Sequence, residues 1–469
     1  MLIHLVLKEL TDHLKTLRFM LMFALITLLL TVSALFYIPE YRERAADFER
    51  NNNATLARVA EEASWDGAIF HVFSYNFQGA WVFMQPGHLG FIADGKEPEL
   101  PNACRPSAFR VYGPTKQVRS NFLLAGGQAL DWSLIIGLVL SFFALVMVYD
   151  SVSGERESGT LRLCLSNSVS RTTFLTAKFL GGFIAIAWAL AVGLLVHLIL
   201  LRLVGSIALG LREWMVIGGT LVLSLVYVAV FLILGLLISA RTRESSASLV
   251  LCLICWALLV IVIPGSGGYI ATRLTKVEQP GQAQVQAQQA EEQALNSYHE
   301  RHPELKEVGM SGHWSPGEPL GRALALGDAW NAVMTGYHNS QVRQVVLARK
   351  ATLVSPYVCY ALCLENLAGS GIAHYEKYMD QMQEYRLSLR RYLLDVYPQP
   401  LDWWGWNDKD ALRKMTGPLD FNSLPKFRES PGDLLSLARE VLPYATLLVL
   451  FGALFFAGAY VAFLRCDVR

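Results

Sequence analysis

The sequence predicts an all-α polytopic membrane protein. It should have six transmembrane helices, an N-terminal interfacial helix and two extracytoplasmic inserts, the second mainly helical. Three observations carry this reading. Of 469 residues, 53% are hydrophobic and only 17% are charged, against ~25% charged in soluble domains. Six apolar runs are long enough to cross a bilayer, which takes about 20 helical residues. Basic residues flanking those runs fall on one face when the count is six, as the positive-inside rule requires. The net charge of +1 gives no global field to gather nucleic acid, so no nucleic-acid partner is expected.

Residues 1–18 place Leu2, Leu5, Val6, Leu10, Leu14 and Leu17 at helical spacing, with Lys8, Glu9, Asp12 and Lys15 on the other face. That pattern suits a helix lying in the membrane interface, or equally one packed on protein. The first span is 19–38. Its apolar core exceeds the ~7–15 residues of a signal peptide, so it reads as an uncleaved anchor. Residues 39–128 form a first extracytoplasmic lobe. It opens with a charged helical stretch from Tyr41 to Glu62 and continues through aromatic, Gly- and Pro-rich sequence with room for short strands.

The second span is 130–149, followed by a charged loop at 150–178. The third, 179–202, holds His197. An ionisable residue inside a span is a functional candidate by default. Near the outer end of the span, however, this ring can reach headgroups or water, which is the plainer reading. The fourth span, 214–240, joins the fifth, 247–264, through a short basic turn, Arg241-Thr-Arg243-Glu244.

Residues 269–441 form the second insert. A Gln/Ala-rich solvated helix is expected over 281–294, and another helix over 320–354 that ends before Pro356. A longer helical stretch runs from Tyr357 through Leu394, with a break at Gly369-Ser-Gly371. Within it Tyr375, Tyr378, Met382, Tyr385, Leu389 and Tyr392 recur at three and four, a coiled-coil-like packing seam. Trp403, Trp404 and Trp406 belong either at headgroup level, where Trp is enriched, or in the fold of the insert. The sixth span is 443–464.

Lys8, Lys15 and Arg18 precede the first span. Arg156, Arg162, Arg171 and Lys178 lie between spans two and three, Arg241 and Arg243 between four and five, and Arg465 and Arg469 close the sequence. All four clusters then face the cytoplasm, with both termini, and both inserts lie outside. Seven cysteines are scattered. Cys252 and Cys255 sit in an apolar run without the context of a redox motif. Cys104, Cys359 and Cys363 share the outer side, which permits a disulfide among them.

Two nucleotide-like motifs fail. Gly90-Phe-Ile-Ala-Asp-Gly95-Lys96-Glu97 is one residue short of a phosphate-binding loop. It offers Glu97 where a hydroxyl is needed for magnesium, and Pro98 and Pro101 oppose a following helix. Leu124-Ala-Gly-Gly-Gln128 echoes a signature loop of ABC ATPases but abuts a span on the outer side. No enzymatic activity is therefore expected of this chain. His299, His302 and His313 lack a recognised metal-ligand spacing and read as surface histidines, so no metal site is expected.

The stretch that organises the chain follows span two: Asp150-Ser-Val-Ser-Gly-Glu155-Arg-Glu157-Ser-Gly159-Thr160-Leu161, then Ser170-Arg171 and Lys178. It resembles the first cytoplasmic loop of type-2 ABC exporter permeases. The interfacial helix, the join of Gly235–Ala240 into Ser245–Leu249, Trp256 and Pro264 are also similar to that family. Ser355-Pro356 through Gly369, the Tyr-rich helix and Leu424-Pro425-Lys-Phe427 resemble a subgroup with a long insert between spans five and six. In this chain that insert stands in place of the family's short re-entrant outer segment.

The resemblance implies a coupling helix that docks on a cytoplasmic ABC ATPase through Asp150, Glu155, Arg156, Glu157, Gly159, Thr160 and Leu161. Glu155, Arg156 and Glu157 would supply polar contacts, Gly159 and Thr160 would end or kink the helix, and Leu161, Leu163 and Leu165 would anchor it. Arg241, Arg243 and Glu244 would form a secondary contact on the same side. No cofactor is expected in this chain, with ATP and magnesium on the ATPase. The other partners implied are a second permease chain, identical or paralogous, and membrane lipids, with an extracytoplasmic partner left open. The location implied is the bacterial cytoplasmic (inner) membrane. The function implied is export of an unidentified substrate. Two alternatives are an ATP-driven mechanotransmitter acting through the insert, and a scaffold whose loop charges only set topology.

Overall fold

The structure is a computed structural model. It describes residues 2–73, 79–94, 100–115, 130–166, 170–205, 207, 209–306, 318–397, 399–405, 410, 417–430 and 433–465. Among the described residues, six helices are long and apolar enough to cross a membrane: Leu17–Ala63, Trp132–Glu157, Arg171–Leu203, Leu211–Arg241, Ser245–Leu274 and Leu434–Leu464. The protein is thus an all-α, multi-pass membrane protein. The second, third and fourth helices are the most buried and form the centre of one continuous apolar cluster. The fifth and sixth bury only 17% of their apolar windows against this chain, as expected where lipid or another chain supplies the remaining contacts.

Helix ends are capped by the residues that precede them. Thr16 accepts from the Phe19 amide at 3.2 Å, Ser170 from the Thr173 amide at 3.1 Å, and Asp131 from the Leu134 amide at 2.8 Å. Each satisfies an amide that the helix itself cannot. The first helix does not stop at Ile38. Pro39 lies inside a single helix of 47 residues, Leu17–Ala63, about 70 Å long at 1.5 Å per residue. The span and the charged stretch at 41–62, read separately in the sequence, are therefore one rod. The lost amide of Pro39 costs one hydrogen bond, and good helix-formers on both sides carry the helix through.

The two inserts fold together. Strands Val82–Phe83 (β1), Ala103–Pro106 (β2) and Val111–Thr115 (β3) form an antiparallel sheet in the order β1-β2-β3. Tyr375, Tyr378, Met379 and Met382 of the helix Gly371–Val396 pack on this sheet around Cys104. Farther along the same helix, Leu389 and Leu393 join Ile69, Phe70 and Phe73 of the first insert and Leu320 and Leu324 of the second. The Tyr-rich seam is thus a packing seam. Helices Pro280–Arg301 and Leu320–Ala351 lie side by side. Asn331 stitches the latter to the sheet, accepting from the Val111 amide at 3.1 Å and donating to the Phe109 carbonyl at 2.7 Å. Trp403 packs against this cluster and Trp404 is exposed, while Trp406 lies outside the described residues.

Four sequence expectations change. The helix Pro356–Ala368, read as part of the outer insert, wedges among the spans, with Tyr360, Cys363 and Leu364 in their apolar cluster. Tyr360 stacks on Tyr227 at 4.3 Å and meets the Ser224 hydroxyl at 2.9 Å. Its neighbour Tyr357 needs Gly137, because a Cβ there would stand 2.4 Å from the Tyr357 ring. The Tyr-rich helix is separate from this wedge, since Gly369 (φ +65) and Gly371 (φ +74) turn the chain between them. His197, expected to reach water, is fully buried. Its Nδ1 bonds the Leu30 carbonyl at 2.8 Å, and its ring lies between Phe91 and Trp132. Cys104, Cys359 and Cys363 are free thiols in different surroundings, Cys104 against Met379 and Cys363 beside the Val441 carbonyl. Leu163, expected to anchor the loop, is 68% exposed.

Candidate functional site

The loop after the second span sits at one end of the helix bundle. The same end holds the N-terminal helix Leu2–Leu14, the 241–244 turn and the end of the sixth span, where Arg171 donates to the Phe463 carbonyl at 2.9 Å. The short helix Ser153–Glu157 begins the loop. Gly159, at φ +76, turns it into a second helix, Thr160–Ser166. A residue with a Cβ would be strained at that angle.

Asp150, Glu155, Arg156 and Glu157 each find a partner within this junction. Asp150 pairs with Arg18 at the head of the first span, at 2.8 Å, and the same guanidinium donates to the Tyr149 hydroxyl at 2.8 Å. Glu155 accepts from Lys178 at 2.9 Å and from the Thr160 hydroxyl. Lys178 also meets Glu9 of the N-terminal helix at 3.0 Å. One ammonium on the third span therefore ties two separate elements together, and its side chain is only 9% exposed. The N-terminal helix comes this close because Gly181 presents no side chain; a Cβ there would lie 2.6 Å from that of Glu9.

Arg156 donates to the Thr242 carbonyl at 2.9 Å, closing the end of the fourth span. The Glu157 carboxylate accepts from both the amide and the hydroxyl of Ser245, at 3.2 and 2.8 Å, capping the fifth. The Ser239 hydroxyl accepts from the Val152 and Ser153 amides, each at 3.0 Å. Leu161 is buried in the main apolar cluster.

The sequence-derived residues therefore divide into two groups. Asp150, Glu155, Arg156, Thr160 and Leu161 point into the junction. Glu157, Ser158, Gly159, Arg162 and Leu163 form its exposed outer face, with Arg241, Arg243 and Glu244 exposed nearby. The side chain of Leu165 lies outside the described residues. Between the N-terminal helix and the loop runs an open cleft of about 1020 Å³, lined among others by Lys8, Asp12, Arg18, Ser158 and Leu163. Lys178, Glu9, Arg18, Ser239 and Ser245 were absent from the site read in the sequence. Two signals were present: Lys178 and the serines of the Ser239–Ser245 join belong to the family-like stretches, and a lysine at the very start of an apolar run would be costly to bury without a partner.

The other candidates resolve differently. Phe91, Ile92 and Ala93 of the phosphate-loop-like stretch pack over the head of the second span, where the Phe91 carbonyl accepts from the Trp132 amide at 3.0 Å. Gly95, Lys96 and Glu97 lie outside the described residues, as do Leu124–Gln128 and His313. His302 lies near Glu304 and Asp402. No group of three or more His, Cys, Asp or Glu side chains suited to a metal occurs among the described residues.

Six spans, a buried junction and a loop with an outward polar face define a multi-pass membrane protein with a structured loop at one end. The chain belongs to the ABC-2 family of transporter proteins, whose family model matches residues 3–468. It is also similar to two proteins named probable ABC transporter permease protein NosY. The one from Stutzerimonas stutzeri is 32% identical over 125 residues, 26% of this chain and 45% of that protein. The one from Pseudomonas aeruginosa is 33% identical over 146 residues, 29% of this chain and 52% of that protein. The matches span about half the length of these curated relatives.

Proposed function

We propose that the chain is the permease subunit of an ABC exporter in a bacterial inner membrane. It would work as a dimer with a second permease chain, identical or paralogous. Separate ATPase subunits, carrying the ATP and magnesium, would dock on the 150–166 loop. The observation that supports this best is the division of the loop into an inner face locked to four helices and an outer face left exposed. Docking would use Glu157, Ser158, Arg162 and Leu163, with Arg241, Arg243 and Glu244 as a second contact. Glu155 and Arg156 would position the loop rather than touch the ATPase. The loop end is then cytoplasmic, in keeping with the basic residues it gathers.

In this reading, closure of two ATPases pushes the loop, and the junction passes a rigid-body movement to the spans. A second reading, transmission of mechanical work to the outer domain, is favoured by the rod Leu17–Ala63. It is held at its start, where Arg18 pairs with Asp150, and just past its middle, where Arg44 holds Asp94 at 3.0 Å, whose amide donates to Asp131 at 2.9 Å. Purification from native membranes tests the ATPase docking that both readings require. The Arg162→Glu/Leu163→Ala variant should remain folded and lose a co-purifying ATPase. A wild-type protein that carries no ATPase from intact membrane complexes would overturn the proposal.

A further inference from the structure

We propose that the outer domain binds an anionic amphiphile, delivered from the membrane rim along two adjoining cavities. This rests on the exporter reading and assigns a substrate class to it.

The first cavity, about 360 Å³, lies in the outer domain between the upper half of the rod, strand β1 and the 421–429 segment. That volume is within the ~300–1,000 Å³ of small-molecule sites, at the low end. Its walls set apolar and aromatic side chains, Phe48, Leu56, Trp81, Phe83, Tyr385 and Phe427, beside polar ones such as Asn52, Thr55 and His71. Its charged members are Arg58, Lys426 and Arg428 against Glu62 and Glu429. Arg58 and Glu62 pair with each other at 3.2 Å, and Glu429 is engaged by His374 at 2.6 Å. Lys426, resting on the Phe421 ring, and exposed Arg428 bring two positive charges to this lining. A chamber with an aromatic and aliphatic wall on one side and exposed cations on the other suits an apolar body carrying an anionic head.

The second cavity, about 340 Å³, lies where the fourth and sixth spans begin, at the far end of the bundle from the loop. Arg212, Glu213 and Val216 of the fourth, Leu437 and Glu440 of the sixth, and the end of the wedge helix line it. Charges of both signs at the start of apolar helices mark the depth at which a lipid-like headgroup would sit. Lys377 pairs with Glu440 across this rim at 2.9 Å.

The two cavities share Gln85 and Glu429. The Glu429 carboxylate accepts from the Gln85 amide at 2.9 Å and meets His374 with its other oxygen. The segment that carries Glu429 is strapped to the Tyr-rich helix by Tyr385 on the Pro425 carbonyl, at 3.0 Å, and by Gln381 on Ser430. Glu429 is thus the partition. Opening it joins a headgroup-level vestibule to this chamber, the sequence of surroundings that an amphiphile leaving a bilayer needs. The chamber wall is also the rod, whose other end touches the loop.

The test uses the full chain in phosphatidylcholine nanodiscs and two photoreactive probes, a long-chain diazirine fatty acid and its trimethylammonium counterpart. Labelled peptides are mapped by mass spectrometry and normalised to adducts on the exposed face of the sixth span. The fatty acid should label residues 48–59, 81–83 and 421–428 several-fold more than the cation does. Leu56→Trp, which fills the chamber, should remove those adducts and keep the ones at the vestibule. Lys426→Glu/Arg428→Glu, on the cationic side, should invert the preference between the probes. Adducts confined to the exposed faces of the spans, or a chamber signal indifferent to both variants, overturn the proposal. Neither variant touches the loop, so ATPase co-purification reports on the exporter reading separately.

Discussion

The two ends of the bundle are built on different physics. The loop end is held by short, directional contacts between small elements: Arg18 on Asp150, Lys178 on Glu9 and Glu155, Glu157 on Ser245. The opposite end has ion pairs of its own, Arg390 on Asp328 and Lys377 on Glu440 among them, but adds area to them. Long helices bury aromatic and aliphatic side chains in two clusters that draw on both inserts. Apolar packing is non-directional and resists rearrangement because every displacement opens voids. Ion pairs and caps exchange one partner for another at modest net cost.

The sharpest way to break this contrast is Lys178→Met. It leaves Glu9 and Glu155 facing each other in a mostly buried site without their shared cation. Removing one partner of a buried ionic group costs about 3–5 kcal/mol, and partial exposure of Glu155 places this case at about 3. Thermal unfolding of the purified protein measures it. Adding Glu9→Gln and Glu155→Gln to Lys178→Met should recover most of the loss. A single variant as stable as wild type would show that the triad does not carry the junction.

At the opposite end of the scale of directionality stands the wedge helix. Gly137→Ala places a methyl into the Tyr357 ring and should cost about 1–3 kcal/mol by overpacking. Tyr360→Phe removes only the hydroxyl contact to Ser224, about 1 kcal/mol. Gly137→Ala should therefore destabilise more than Tyr360→Phe in the same unfolding measurement. The reverse order would mean that the wedge is held by its hydrogen bond and not by shape.

How much of this was legible in the sequence follows from the same contrast. The spans announce themselves because about 20 apolar residues in succession have few other uses, and the Tyr-rich seam because its period is helical. The loop was legible as a stretch, through its abrupt change from apolar to charged and through its resemblance to a family. The inward or outward direction of each side chain was not. Glu155 and Glu157 are two residues apart and look alike in the sequence, yet one meets a lysine on the third span and the other caps the fifth. The wedge helix escaped for a different reason: Pro356–Ala368 is too short to read as a span, and only the groove between the fourth and sixth helices shows what covers it. His197 was misplaced because hydropathy gives depth along a helix but not which face its neighbours enclose.

The smallest expected effect concerns His13, on the N-terminal helix beside the cleft. Burial lowers its pKa from the ordinary 6.5, and the neighbouring Glu9 only partly offsets this. The docked helix then binds fewer protons than the undocked one, so stability rises with pH. The contribution is present above about 6.5 and is lost as pH falls below it, when the undocked ring takes up a proton that the docked ring resists. Proteolysis at the N-terminal helix should accordingly quicken on acidification from pH 7.5 to 5.5. In His13→Asn, which cannot titrate, the quickening should shrink. If acidification exposes the helix equally in both proteins, the loop end is responding through its carboxylates, and the Lys178 triad rather than His13 sets its pH dependence.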